Sequence, residues 1–289
     1  MLVSTSLNVL WEPRRVSAAQ AIERLAAVGF RSLDMNFCDW LFDGSPFSGA
    51  GWRRWVLDLK AAAGDNGVKF TQSHGPIFRK FEQDVNCRWL ELMSYRSVEG
   101  ASMLGIPWVV FEPETLPGAF DAAHSAETKR RNLRWFAPLA QRAETLGTGL
   151  ALENVSDVFA PGRGARRMYC STACELIDLV DSLGRANVGI CWDTGHAHMQ
   201  MLDQPQALRA VGSRLKALHI QDNNAQTDQH LLPFYGSIKW KQIMNTLREI
   251  EYAGDFTFEA HSSVRILPDE LRDSALALAL KTGEHLLRM

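Results

Sequence analysis

Short apolar runs alternate with amphipathic stretches from one end of the 289-residue chain to the other. Runs of strand length lie at 2–8, 32–37, 68–73, 107–112, 149–153, 188–193, 215–220 and 255–259. The segments between them, at 17–28, 51–66, 84–104, 122–146, 172–184, 204–213, 239–252 and 269–287, carry apolar residues at helical spacing. Strand and helix in strict alternation predict a closed parallel (β/α)8 TIM barrel, one α/β domain over 1–289. A doubly wound sheet is the alternative, but no glycine-rich phosphate turn follows Val3–Asn8. Thr172 and Glu175 have capping-box spacing at a helix start, and Gly29, Gly105, Gly147 and Gly184 fall where helices should stop.

The candidate chemistry sits at one end of this pattern. Glu153, Asp193, His219 and Glu259 each close an apolar run, and the C-terminal strand ends of a barrel converge on one face. His74 and Glu112 close the third and fourth runs, and Asp228 and His230 follow the seventh. Three carboxylates and an imidazole brought together would repel and desolvate one another, and a divalent cation reverses that balance. The oxygen-rich set suits Mn²⁺, Mg²⁺ or Co²⁺, with Zn²⁺ also compatible.

Composition narrows the setting. A net charge of −2 gives no footprint for a phosphate backbone, and no nucleic-acid partner is expected. The apolar stretches are too short and too interrupted by charge to cross a membrane. The N-terminus reads as a first strand rather than a signal peptide. Five cysteines, an odd number spread through the predicted elements, suit a reduced cytoplasmic protein, and Cys170 and Cys174 lack the companions a thiolate metal site needs. Two long loops, 38–50 and 154–170, should project from the catalytic face. Arg163, Arg166 and Arg167 in the second read either as solvated or as an anion clamp, and Trp40, Phe42 and Phe47 either as an apolar substrate wall or as rim anchors.

At this point the chain resembles the xylose isomerase-like barrel superfamily, sugar-phosphate isomerases and epimerases included. The resemblance is carried by Ala-Leu-Glu153-Asn, Trp-Asp193-Thr-Gly-His196, Leu-His219-Ile-Gln-Asp222-Asn, Asp228-Gln-His230-Leu-Leu-Pro-Phe-Tyr-Gly-Ser-Ile-Lys-Trp240 and Phe-Glu259. It implies one divalent metal on Glu153, Asp193, His219 and Glu259, with room for a second at His196, Asp228 and His230. It also implies isomerisation or epimerisation of a sugar, sugar phosphate or related polyol carbonyl compound through an enediolate, with Glu153 and Glu259 as the proton-transfer pair. His74, His196, Glu112, Trp40 and Arg163 are the expected substrate contacts, and a homo-oligomer is compatible with the resemblance. Ketose 3-epimerases of the group usually carry a second glutamate where this chain has Phe159 and an arginine where it has Ala225. An endonuclease IV-like hydrolase of abasic-site DNA is the alternative, since His74, Glu153, Asp193, His196, His219, Asp228, His230 and Glu259 match its metal set, while Glu112 replaces a histidine. His198 is expected behind the ligands or at a helix start, His261 in the site or capping the last loop, and His124 and His285 on the surface.

Overall fold

The computed structural model describes residues 1–10, 12, 15–82, 84–160 and 164–289. The strands in chain order are β1 (Val3–Ser6), β2 (Ser32–Asn36), β3 (Lys69–His74), β4 (Trp108–Phe111) and β5 (Gly149–Glu153), the pair β6 (Val158–Ala160) and β7 (Gly164–Arg166), then β8 (Val188–Asp193), β9 (Leu215–His219) and β10 (Phe256–Phe258). The helices are α1 (Ala18–Val28), α2 (Trp52–Asp65), α3 (Val85–Leu104), α4 (Ala122–Thr145), α5 (Ala173–Leu183), α6 (Thr194–Met199), α7 (Gln204–Val211), α8 (Trp240–Glu249), α9 (Ser262–Arg265) and α10 (Asp269–Arg288). The barrel sheet runs β10-β1-β2-β3-β4-β5-β8-β9, with every pairing parallel. The remaining gap is bridged where Ile220 pairs with Phe258, Ile220 N–H donating to the Thr257 carbonyl at 2.8 Å. The architecture is the expected (β/α)8 barrel. Among the described residues no helix is long and apolar enough to cross a membrane.

Strand alternation explains why the ligand candidates share a surface. In β5, Leu150 and Leu152 pack outward with the helices, whereas Ala151 belongs to a small inner group with Val110, Cys191 and Ala217. Side chains two apart share a face, so Glu153 follows Ala151 inward, Asp193 follows Cys191 and His219 follows Ala217. The inner residues Val110, Ala151, Cys191 and Ala217 are small, and the next inward positions of three of these strands are ionisable. Between β2 and β3 the register passes from Leu33–Phe70 to Asp34–Gln72, skipping Thr71. This bulge turns both Asp34 and Gln72 into the barrel, where they hydrogen-bond at 3.3 Å.

Some boundaries differ from the sequence pattern. The first apolar run leaves the sheet at Ser6 and continues as a 3₁₀ turn, Leu7–Leu10, whose residues are still buried. Loop 154–170 contains the β6–β7 antiparallel pair, which no apolar alternation signals. Helices α6 and α9 were not expected either, because six and four residues are too few to show a period. The anticipated caps are present: Thr172 Oγ1 accepts from Glu175 N–H, and Gly105 and Gly184 end α3 and α5 in the left-handed region.

Candidate metal centre at the strand ends

Glu153, Asp193, His219 and Glu259 each offer one ligand atom to a set whose members all lie within 4.8 Å of one another. Ligands opposite each other across an ion bonded at about 2.0–2.2 Å stand roughly 4.0–4.4 Å apart, so the spread fits one divalent cation. Glu153 Oε1 lies 2.8 Å from His219 Nδ1, and Glu259 Oε2 lies 3.7 Å from the same nitrogen. Asp193 plays two parts. Its Oδ1 caps α6 by accepting from His196 N–H at 2.6 Å, while its Oδ2 is buried without a hydrogen-bond partner among the described residues. Asn154 fixes it further, accepting from Asp193 N–H at 2.7 Å and donating to the Asp193 carbonyl at 2.9 Å. An unpartnered buried carboxylate oxygen within a set of three carboxylates and one imidazole is what a cation would satisfy.

The other histidines enclose this set, and the main chain orients them. A carbonyl can only accept, so Nδ1 must carry the proton where it faces Gly75 (His74, 2.7 Å), Asn154 (His196, 2.9 Å) and Glu259 (His230, 2.9 Å). Each Nε2 then faces a carboxylate: Glu153 at 3.3 Å from His74, and Asp228 at 3.5 Å from His196 and 3.0 Å from His230. Gln221 joins the two groups, donating from Nε2 to Asp228 Oδ1 at 2.5 Å and lying 3.5 Å from Asp193 Oδ1. A Cβ at Gly195 would stand 2.2 Å from the Gln221 amide carbon, so only glycine permits that approach.

Burial and neighbouring charge pull these groups apart electrostatically. Burial pushes Asp193 up to about 7 against the pull of His196. Burial also resists ionisation of Glu153, but His219 and His74 outweigh it and hold that carboxyl below the usual range. Burial lowers His230, yet its bond to Asp228 carries the ring up to about 9. Glu112 is half-buried, and burial followed by the nearby charge of Glu153 raises its carboxyl.

The structure distributes the remaining candidates differently. His74, His196, Asp228 and His230 stand around the four-residue set, and Glu112 lies within electrostatic reach of Glu153, His74 and His196. Trp40 is 7% exposed and packs on Trp55 and Phe42, at ring separations of 5.1 and 6.0 Å, while Phe47 stacks on Phe37. These rings anchor loop 38–50 to α2, which replaces the substrate-wall reading of Trp40 with the rim-anchor one. Arg163 lies outside the described residues. Arg167 is taken up by Glu175 at 2.7 Å and Asp157 at 3.4 Å, and Arg166 donates to the Thr115 carbonyl at 3.2 Å. Arg167 is therefore not an open anion clamp, whereas Arg166 stays exposed while it tethers the loop to the Thr115 carbonyl. His198 bonds Ser237 Oγ at 2.7 Å, behind the ligands, and the His261 ring packs on His230 with centroids 4.4 Å apart. His124, expected on the surface, is half-buried, with Nε2 at 3.0 Å from the Leu116 carbonyl.

Several participants carry no sequence signal of their role. Cys38 lies within electrostatic reach of His74, and burial pushes its thiol up to about 11. Asp222, within the motif after His219, is a clamp. Its carboxylate accepts from the N–H groups of Asn223 (2.9 Å), Phe234 (3.0 Å) and Ile238 (3.1 Å) and from Trp240 Nε1 (2.9 Å). These bonds fold loop 223–239 back over the barrel and so place Asp228 and His230. Asp222→Ala leaves four donors without their acceptor and is expected to cost about 3–4 kcal/mol in urea unfolding. A loss under ~1 kcal/mol would contradict the clamp.

A family model described as xylose isomerase-like TIM barrel matches residues 22–280. The D-psicose 3-epimerase of Ruminiclostridium cellulolyticum is 24% identical over 216 residues, covering 71% of this chain and 67% of that protein. An inosose isomerase of Halalkalibacterium halodurans is 24% identical over 168 residues, 56% of either chain. The chain spans about half the length or less of other curated relatives it matches: 54% of an uncharacterised protein of Methanocaldococcus jannaschii and 29% of a D-psicose 3-epimerase of Enterocloster bolteae. Among solved structures, a D-psicose 3-epimerase crystallised in the presence of D-fructose superposes with a TM-score of 0.76 at 19% identity, covering 99% of both chains. A protein crystallised with a bound zinc atom superposes at 0.73 and 18% identity, covering 99% of this chain and 96% of its own.

Proposed function

The chain belongs to the xylose isomerase-like TIM barrel family, and from that premise we propose that it is a divalent-metal-dependent isomerase or epimerase of a small polyhydroxylated carbonyl compound. A sugar, a sugar phosphate or a cyclic polyol ketone fits this description. The observation that carries the reading is the convergence of Glu153, Asp193, His219 and Glu259 within 4.8 Å at the strand ends. Held by those four residues, a divalent ion supplies Lewis acidity that polarises a carbonyl and its neighbouring hydroxyl.

Glu153 and Glu259 are the proton-transfer pair. One carboxylate takes the proton from the carbon beside the carbonyl, leaving an enediolate, and the other carboxyl returns a proton to complete the change. His74, its ring stacked on that of His219, steadies the other oxygen of Glu153, with its Nε2 at 3.3 Å from Oε2. Glu153 is 1% exposed, so bulk water does not compete for the transferred proton. In this reading Glu112 and His196 contact the hydroxyls of a bound polyol, and a small carbohydrate is the partner.

The D-psicose 3-epimerases and the inosose isomerase among the relatives are named for carbohydrate chemistry, which favours this reading over incision of abasic DNA. The test is to strip the protein with chelator, reload it with Mn²⁺, Mg²⁺, Co²⁺ or Zn²⁺, and follow ketohexoses and inososes by NMR. Turnover that depends on the ion is the expected result. Efficient incision of an abasic duplex by the loaded protein, with every carbonyl substrate untouched, would overturn it.

A further inference from the structure

We propose that Asp34 is a positioning residue for His219: it holds the Nε2–H of the ring and so presents Nδ1 to the metal. The inference rests on the metal reading above and adds a residue that no family motif in the chain marks. It starts from an asymmetry among the site histidines. His74, His196 and His230 each have Nδ1 pinned by a backbone carbonyl, at 2.7, 2.9 and 2.9 Å. His219 has no such carbonyl, and its Nε2 is buried without a hydrogen-bond partner among the described residues. Its ring is also reversed, with Nδ1 toward Glu153 and Glu259 and Nε2 toward the barrel interior.

What Nε2 meets there is Asp34. Asp34 Oδ2 lies 3.7 Å from His219 Nε2, too long for a hydrogen bond but needing a shift of under ~1 Å to make one. The Asp34 side chain is 0% exposed; among the described residues its Oδ1 has no hydrogen-bond partner and its Oδ2 accepts only a 3.3 Å bond from Gln72 Nε2. A buried carboxylate so poorly partnered is costly unless a cationic or strongly polarised donor completes it. An imidazole whose other nitrogen binds a cation is such a donor, and the carboxylate in turn raises the ring's basicity as a ligand. Gln72 aims the pair. Its amide donates to the Leu218 carbonyl at 3.2 Å, beside His219, and accepts from Thr257 Oγ1 at 3.1 Å.

The experiment compares metal affinity, not activity. Mn²⁺ and Zn²⁺ binding is titrated calorimetrically into chelator-stripped wild type, Asp34→Ala and Asp34→Asn, with apo melting temperatures measured in parallel. Asp34→Ala is expected to bind about 10–100-fold more weakly. Asp34→Asn keeps an acceptor oxygen and should fall between alanine and wild type. Unchanged affinity in Asp34→Ala overturns the inference, and so does an equal loss in both variants, which would make charge rather than orientation the cause. If Asp34→Ala does not fold, ¹⁵N NMR of Zn²⁺-loaded wild type decides. Nδ1 of His219 as the bound nitrogen, with a slowly exchanging Nε2–H, is expected, and binding through Nε2 overturns it. Wild type that binds neither ion defeats the metal reading itself. Wild type that binds while the variants bind equally well defeats only the role of Asp34.

Discussion

Glu153→Gln is expected to lower proton exchange at the substrate carbon beside the carbonyl by about 10²–10⁴-fold. The change preserves side-chain shape but removes the basic oxygen pair that faces His219 Nδ1 at 2.8 Å and His74 Nε2 at 3.3 Å. Glu259→Gln should produce a loss of similar order, because a transfer between two carboxyls needs both. The measurement is incorporation of deuterium from heavy water, followed by NMR and normalised to metal bound, since an amide is also a poorer ligand. The two variants need not behave alike in detail. If one carboxyl only removes and the other only returns the proton, exchange into substrate and into product will be lost to different extents. Undiminished exchange in either variant would remove that residue from the proposed pair.

The second large effect is on stability. Without an ion, three carboxylates share a pocket in which burial already drives Asp193 up to about 7. A cation that binds only the folded chain adds about 2.7 kcal/mol at a concentration 100 times its Kd. For a chain of 289 residues that corresponds to a rise in Tm of roughly 4–5 °C. Calorimetric scans with Mn²⁺, with Mn²⁺ plus chelator, and with sodium chloride at matched ionic strength separate site occupancy from general screening. An ion-dependent rise reversed by chelator is expected, and identical Tm values in all three would defeat the metal centre.

How far the sequence led depended on where each residue's partner lies. Glu153, Asp193, His219 and Glu259 stand out because an ionisable residue closing an apolar run breaks a local pattern, and barrel geometry converts that break into a place. The eight barrel strands were legible for the same reason. Asp34, Gln72, Asn154 and Gln221 were not, because a polar residue in or just after a strand announces nothing about a partner dozens of residues away. Asn154 meets Asp193 across 39 positions and Gln72 meets Asp34 across 38. Asp222 was visible as part of a motif, but its four donors become evident only once loop 223–239 has folded back. Arg167 misled for a different cause: Glu175 and Asp157, which take up its charge, lie beyond a turn that composition alone does not reveal.

Gln72 carries a consequence for how the chain comes together. It belongs to the third strand synthesised, yet its side-chain partners besides Asp34 are Leu218 and Thr257, 146 and 185 residues later. A nascent chain that has reached β5 therefore has a polar amide in the barrel lumen with nothing on the far wall to receive it. Early strands can pair with one another, but the lumen becomes internally satisfied only when the last quarter of the chain arrives. A fragment ending before β9 is therefore expected to remain loosely ordered and prone to self-association.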